Sequence, residues 1–409
     1  MAKRKKVSII FSDDLNAWTG GLYYNINLIQ ALKTLPDRKK PYIVIFSDEK
    51  TYELIISLEY PYITHASSLR FWSGDPKYSF SEKVINKLSF TVLGKALIKK
   101  PKQEPKPTTE DLGKLFPLRS DKIYIPFHDN TYTKEHFFLV PADFFSMVPK
   151  IYWIPDFQEH YLPQFFSAED IEIRKKNQNA IAQSGSMVVF SSKDALKDFH
   201  SFFPHSKNKT HVINFAVSHE DYSGLNIDVL RQKYNLDTHY FFSPNQFWAH
   251  KNHIIVLKAI RVLLEKGLNN FIVAFSGKES DYRNPDYFQS LKDYVKTNGL
   301  EKNVRFLGFL DRKEQLKLMQ NAIAVVQPSL FEGWSTVVED AKAMNQYLIA
   351  SDIDVHKEQL DRNAVFFNPQ NENELAEKLI MFLETPPQKQ NVDYSKNIRK
   401  FAEDLIKIL

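Results

Sequence analysis

Apolar and polar positions alternate in short blocks along most of the chain, and the period of the pattern switches from block to block. Short apolar or alternating runs at Lys6–Phe11, Tyr42–Phe46, Ile123–Pro126, Lys150–Ile154, Met187–Phe190 and Val212–Phe215 predict β-strands. Between them, Leu22–Leu35 carries Leu22, Ile26, Ile29 and Leu32 at helical spacing, and Tyr52–Leu58 and Asp170–Gln183 read as helices. Ser191-Ser192 reads as the N-cap of a further helix. A connecting stretch follows at 218–238, and the alternation restarts. Tyr240–Ser243, Phe271–Ser276 and Val304–Leu307 are the next strands; Asn252–Lys266, Pro285–Asn298 and Arg312–Asn321 are the next helices. A final helix spans Tyr394–Leu409, with Ile398, Phe401, Leu405 and Ile408 on one side. Strands alternating with helices in both halves predict an α/β protein with two doubly wound, Rossmann-like domains. The expected division is 1–220, 221–392 and a terminal helix at 393–409, a candidate to cross back to the first domain.

One stretch is richer than the rest. Residues 325–352 read VVQPSLFEGWSTVVEDAKAMNQYLIASD. A strand at Ala324–Val326, a turn at Gln327–Gly333, a helix starting near Ser335 and a strand at Tyr347–Ala350 make a βαβ unit. Such a unit puts the turn at the carboxyl edge of a parallel sheet, where open α/β sheets bind ligands. The helix start offers backbone N–H groups at Trp334 to Val337, suited to an anion such as phosphate. Glu332 precedes those donors, and Glu339 and Asp340 follow within the helix.

Composition narrows the possibilities. A chain of 409 residues exceeds one ordinary core. Its 12 glycines are well under the ~7% average and include no G-x-G-x-x-G, which argues against a dinucleotide-binding dehydrogenase. With no cysteine, thiolate zinc sites, disulfides and cysteine nucleophiles are excluded. The N-terminal apolar run is too short for a signal segment, and no run of ~18 apolar residues suggests a spanning helix. A cytoplasmic location is the expectation. The net charge of +5 is mild and gives no basis for nucleic-acid binding.

Several loops add candidate chemistry. Gly20-Gly21 stands between a strand and a helix, where glycine lets a phosphate approach the backbone, or simply makes a turn. Strand Tyr240–Ser243 runs into PNQFWAHKNH, so Lys251 sits at a helix start with His250 beside it and Asn252 able to cap; a lysine there suits a diphosphate. Strand Lys150–Ile154 runs into PDFQEHYLPQFFS, which places Asp156 and His160 near a strand's carboxyl end as acid/base candidates. Glu82–Lys100 reads as a basic amphipathic helix, either an ordinary surface helix or one lying on an anionic membrane.

Taken together these motifs resemble the retaining nucleotide-sugar glycosyltransferases of the GT-B fold, family 4 (group 1). Gly20-Gly21 resembles the N-terminal glycine loop, WIPDFQEHYLPQFF the acceptor-side loop, NQFWAHKNH the diphosphate motif, and FEGWSTVVEDAKAMNQYLIASDI the Glu, seven residues, Glu signature. The resemblance implies two domains facing a cleft, with donor-binding residues Gly20, Gly21, Asn245, Gln246, His250, Lys251, Glu332, Gly333, Trp334, Ser335, Thr336, Glu339 and Asp340. Glu332 would bind the donor sugar's hydroxyls, Asp340 with Glu339 the ribose, and Lys251 the leaving diphosphate, which would make a metal unnecessary. No cofactor is implied. Asp156 joins Lys251 and Glu332 as a catalytic candidate, with His160 and Gln158 on the acceptor side.

This sequence departs from the family pattern at four points. Asp340 replaces Glu, Gln246 stands where Arg is frequent, and Pro155 where His is frequent. Asn345 replaces a common glycine at a turn that Asn tolerates. The implied activity is hexosyl transfer from a nucleoside diphosphate sugar to a saccharide or lipid-linked saccharide acceptor. Such enzymes often assemble bacterial surface polysaccharides, at the inner face of the cytoplasmic membrane. The alternative is a catalytically degenerate GT-B scaffold that binds a nucleotide sugar or a partner protein.

Overall fold

The computed structural model describes residues 4–11, 19–47, 49–66, 120–125, 148–236, 239–281 and 283–409. The basic helix expected at 82–100 lies outside them. Two parallel sheets carry the fold. The first contains β1 (Lys6–Ile10), β2 (Tyr42–Phe46), β3 (Ile63–Ala66), β4 (Lys122–Ile125), β5 (Lys150–Ile154), β6 (Met187–Phe190) and β7 (Thr210–Val212), in the order β3-β2-β1-β4-β5-β6-β7. The second contains β8 (Tyr240–Ser243), β9 (Ile272–Phe275), β10 (Val304–Phe306), β11 (Val325–Gln327), β12 (Leu348–Ser351) and β13 (Ala364–Phe367), in the order β10-β9-β8-β11-β12-β13. The helices are α1 (Thr19–Lys33), α2 (Glu49–Ile56), α3 (Gln158–Tyr161), α4 (Ala168–Gln183), α5 (Lys193–Phe202), α6 (Ile227–Tyr234), α7 (His253–Glu265), α8 (Tyr287–Thr297), α9 (Arg312–Asn321), α10 (Thr336–Ala343), α11 (Asp354–Gln359), α12 (Glu372–Glu384) and α13 (Ser395–Ile408).

The second sheet shows why its strands are nearly all apolar. Side chains alternate between its faces. Phe241, Val273, Phe275, Val326 and Ile349 join one core with residues of α7, α8 and α12, among them Ile260, Leu291 and Leu379. Tyr240, Phe242, Ala274, Val325, Leu348 and Ala350 join a second core with residues of α6, α9 and α10, among them Leu230, Leu316 and Val338. Both faces are therefore covered, as an all-parallel sheet requires.

The strand order also fixes where a ligand can sit. From β8 the chain builds outward through β9 and β10, then returns to place β11 on the other side of β8. That reversal opens a crevice beyond the carboxyl ends of β8 and β11. The loops leaving those two strands are 244–252 and 328–335.

Contacts divide the chain into two compact units. One comprises Met1–Asn25, Pro36–Ile151 and Leu409; the other comprises Ile26–Leu35 and Tyr152–Ile408. All the interactions described below lie within the second unit.

Some elements differ from expectation, each for a local reason. Helix α1 already begins at Thr19, so Gly20 and Gly21 stand in its first turn and not in a loop. The strand expected at Val212–Phe215 lies at Thr210–Val212; Ile213 N still donates to Phe190 O at 2.9 Å, and Ile213 and Phe215 are buried beyond the strand's end, so their apolarity reflects burial. The stretch 218–238 contains α6, whose N-cap Asn226 accepts from the N–H groups of Asp228 and Val229. Only Leu230 of that helix is buried, which leaves too weak an apolar stripe to read. Asn345 does adopt the left-handed conformation expected of it, with φ 53°.

Candidate functional site

Glu332 is the centre of a polar network built by the end of β11 and the turn after it. Its Oε1 accepts from Lys251 Nζ at 2.6 Å, Ser329 Oγ at 2.6 Å and Gln327 Nε2 at 2.8 Å. Gln327 Nε2 also lies 3.1 Å from both Ser329 Oγ and Ser335 Oγ. Three donors on one oxygen orient the carboxylate, and Oε2 has no hydrogen bond among the described residues. Burial would raise the carboxyl pKa. Lys251, by its charge and its hydrogen bond, and the Ser329 hydroxyl outweigh that, and the group is held below the ordinary range.

Lys251 reaches this carboxylate because the loop after β8 is pinned from several sides. Residues Ala249–Lys251 form a single 3-10 turn. Asn252 follows in the left-handed conformation, with φ 55°. Its side chain makes no cap on α7, contrary to expectation; its Nδ2 donates to Pro328 O at 3.2 Å and Pro369 O at 2.9 Å. Leu330 N donates to His250 O at 2.8 Å. These bonds tie the two crevice loops together.

The neighbours of Lys251 are less suited to an anion than expected. His250 is buried, and burial, with Lys251 and Arg283 adding, holds its pKa well below that of a free imidazole. It is therefore neutral and cannot share the charge of Lys251. Gln246 spends its Oε1 on the Lys278 N–H, at 2.8 Å. That bond belongs to a tight backbone crossing. Gly277 stands at φ 157°, where a Cβ would lie 2.2 Å from Asn245 O, so only glycine fits. Asn245 is buried beside it, its Nδ2 3.4 Å from Ser243 Oγ.

The start of α10 is also more occupied than its sequence suggests. Ser335 is the N-cap, its Oγ accepting from Val338 N. Its own N–H donates to Gln359 Oε1 at 3.2 Å, while Gln359 Nε2 donates to Ser335 O at 2.8 Å. One of the expected anion donors is thus already paired. Trp334 turns away, its indole N–H donating to Phe215 O at 3.1 Å. Thr336 is the first residue of the helix.

Glu339 and Asp340 are both buried, in separate networks. Glu339 accepts from Lys342 Nζ at 2.8 Å, from Gln359 Nε2 at 2.9 Å and from the Tyr394 hydroxyl. Asp340 is paired with Arg312 and with His219 Nε2, the latter at 3.0 Å. Burial opposes ionisation of Asp340, but Arg312 and His219 hold its pKa below the usual value. Spacing in the sequence could not reveal His219 and Arg312, which come from a connection and another helix.

Asp156 lies against the same turn. A Cβ on Gly333 would stand 2.6 Å from Pro155 O and 2.9 Å from Asp156 Oδ2, so the missing side chain is what admits this approach. Burial, with Glu159 and Glu332 adding like charge, pushes the Asp156 pKa up to about 6. Gln158 N donates to Asp156 Oδ1 at 3.1 Å. His160 is built into the packing, stacked on Phe202 at 4.0 Å with Nε2 3.4 Å from Gln178 Oε1. The structure therefore brings Asp156, Lys251, Glu332 and Gly333 together, and it stacks the His160 ring on Phe202. Gly20 and Gly21 belong to the other compact unit, in the first turn of α1.

Two parallel sheets with a crevice at the switch point of the second are the architecture of the GT-B glycosyltransferases. Residues 226–401 match the family described as Glycosyl transferases group 1. A 133-residue stretch is 32% identical to the O-antigen chain mannosyltransferase RfbU of Salmonella typhimurium, covering 32% of this chain and 35% of that protein. The chain thus matches about a third of that relative's length. Among solved structures, a glycosyltransferase from Rickettsia africae superposes with a TM-score of 0.62 at 15% identity, over 99% of this chain and 94% of the other. Anabaena Alr3699/HepE, solved with UDP and glucose, gives 0.61 at 16% identity, over 99% and 94%. At such identities these structures speak for the fold.

Among the described residues, no helix is long and apolar enough to cross a membrane.

Proposed function

We propose that the protein transfers a hexosyl unit from a nucleoside diphosphate sugar to an acceptor hydroxyl, with retention and without a metal ion, in the assembly of a surface polysaccharide or glycoconjugate. The observation that carries this reading is the state of Glu332: one carboxylate oxygen held by Lys251, Gln327 and Ser329, the other left for a ligand. A fixed acceptor of this kind suits sugar hydroxyls, because it is oriented before the substrate arrives. The bond from anomeric carbon to phosphate oxygen breaks with charge building on the diphosphate. Lys251 answers it: an ammonium has three donors, and one is directed at Glu332. Asp156, whose pKa burial raises to about 6, serves as the charged or proton-accepting group on the acceptor side. The Salmonella relative makes a mannosyl donor the first to test, and residues 82–100 are proposed to meet an anionic membrane carrying a lipid-linked acceptor.

A second reading is a scaffold that binds a nucleotide sugar without turnover. Its support is specific: Gln246 is spent on Lys278 N, the Ser335 N–H on Gln359, and the Asp340 carboxylate on Arg312 and His219. A panel of UDP-, GDP- and ADP-sugars separates the two, with nucleotide release and thermal shift recorded together. Release of nucleoside diphosphate that drops at least 100-fold in Glu332→Ala, with the fold intact, is the expected result. Binding without release in any arm establishes the scaffold.

A further inference from the structure

Behind Glu332 lies a buried histidine that none of the motifs includes. His356, near the start of α11, is fully buried. Its Nδ1 lies 3.0 Å from Ser351 O and 3.1 Å from Ser351 Oγ. The Ser351 hydroxyl donates to Ser329 O at 2.6 Å, so its one hydrogen is used. Both oxygens facing Nδ1 must then accept, which puts the imidazole proton on Nδ1. Ser329 in turn donates its own hydroxyl to Glu332 Oε1. The result is a chain of hydrogen bonds from His356 through Ser351 and Ser329 to the carboxylate.

We propose that His356 is a positioning residue for Glu332, holding residue 329 from behind so that the Ser329 hydroxyl and the carboxylate stay in register. The inference deepens the reading of Glu332 as the sugar ligand and rests on it for its kinetic consequence. Its geometric content stands independently, because loop 328–332 is held whether or not sugar is transferred. The bland alternative is that His356 merely fills space under α11. Burial keeps the imidazole pKa below its ordinary value, although nearby Glu332 opposes this, so a neutral ring is the working form.

Two substitutions separate the readings. Asparagine can place an amide N–H where Nδ1–H stands, whereas leucine keeps bulk and loses the donor. Hydrogen exchange of segment 328–335 in the full chain is the first readout. His356→Leu is expected to raise exchange there at least 10-fold, and His356→Asn to restore most of the protection. The second readout is turnover of GDP-mannose and UDP-glucose, with binding of GDP and UDP measured in parallel. His356→Leu should lower kcat about 10-fold or more while nucleoside diphosphate binding stays within 2-fold, and His356→Asn should recover most of kcat. Unchanged exchange in His356→Leu, or no recovery in His356→Asn, overturns the proposal. A wild-type protein that turns over neither donor, yet shows the exchange pattern, leaves the positioning role standing and counts against those donors.

Discussion

Replacing Lys251 by methionine isolates the ion pair at the centre of the site. The two side chains retain only 15% and 8% exposure. Removing one member of such a buried pair costs about 3–5 kcal/mol, because the surviving charge is left without its partner. Gln327 and Ser329 still donate to the same oxygen, so the low end, about 3 kcal/mol, is expected. Lys251→Met with Glu332→Gln removes both charges and should regain about 2 kcal/mol of that loss, the coupling of a contacting pair. The pH dependence follows from the carboxyl. In the native protein its pKa is depressed, so its contribution is present above the unfolded value of ~4.3 and is lost as pH falls through the folded one. Without Lys251, burial prevails and the folded pKa rises; the group then destabilises increasingly as pH climbs through that value. The deficit of Lys251→Met should therefore be largest at neutral pH and shrink toward pH 4. Urea unfolding of the full chain, followed by circular dichroism across that range, measures it. A deficit under 1 kcal/mol at pH 7.5, or one that does not change with pH, refutes the picture of a coupled, buried pair.

Two other substitutions probe the neighbouring turn. Asp156 has a folded pKa of about 6, above its unfolded value, so the carboxylate costs stability as pH rises through 6. Asp156→Asn should be more stable than the native protein at pH 8 and equal to it near pH 4 by thermal unfolding, and should remove any acid limb near pH 6 from the rate profile. Gly333→Ala drives a methyl into Pro155 O and Asp156, and should cost about 1–3 kcal/mol in urea unfolding together with most donor turnover.

The architecture was readable because parallel strands buried on both faces leave continuous apolar runs, as at Tyr240–Ser243 and Leu348–Ser351. The meeting of Lys251 and Glu332 was readable in outline, since both follow strands that flank one switch point. What lay hidden was which partner each charge takes. Gln246 and Asp340 look available in the sequence, yet one is spent on a backbone N–H and the other on Arg312 and His219. Gln327, Ser329 and His356 act through a strand pairing, Gln327 beside Ala350, that no short-range spacing encodes. Helix α6 escaped because a helix exposed on most sides has no apolar stripe to announce it.

The hydroxyl of Tyr394 accepts from Val217 N at 3.1 Å and donates to Glu339. One phenol therefore links the segment that enters the second sheet, the helix of the candidate site, and the beginning of α13. For anyone recombining such proteins, the last fifteen or so residues are no neutral tail to exchange at will. A graft at 394 that arrives without a tyrosine takes the hydroxyl from one oxygen of a buried carboxylate next to Asp340, leaving Lys342 and Gln359 on the other, so the seam of a chimera is better cut elsewhere.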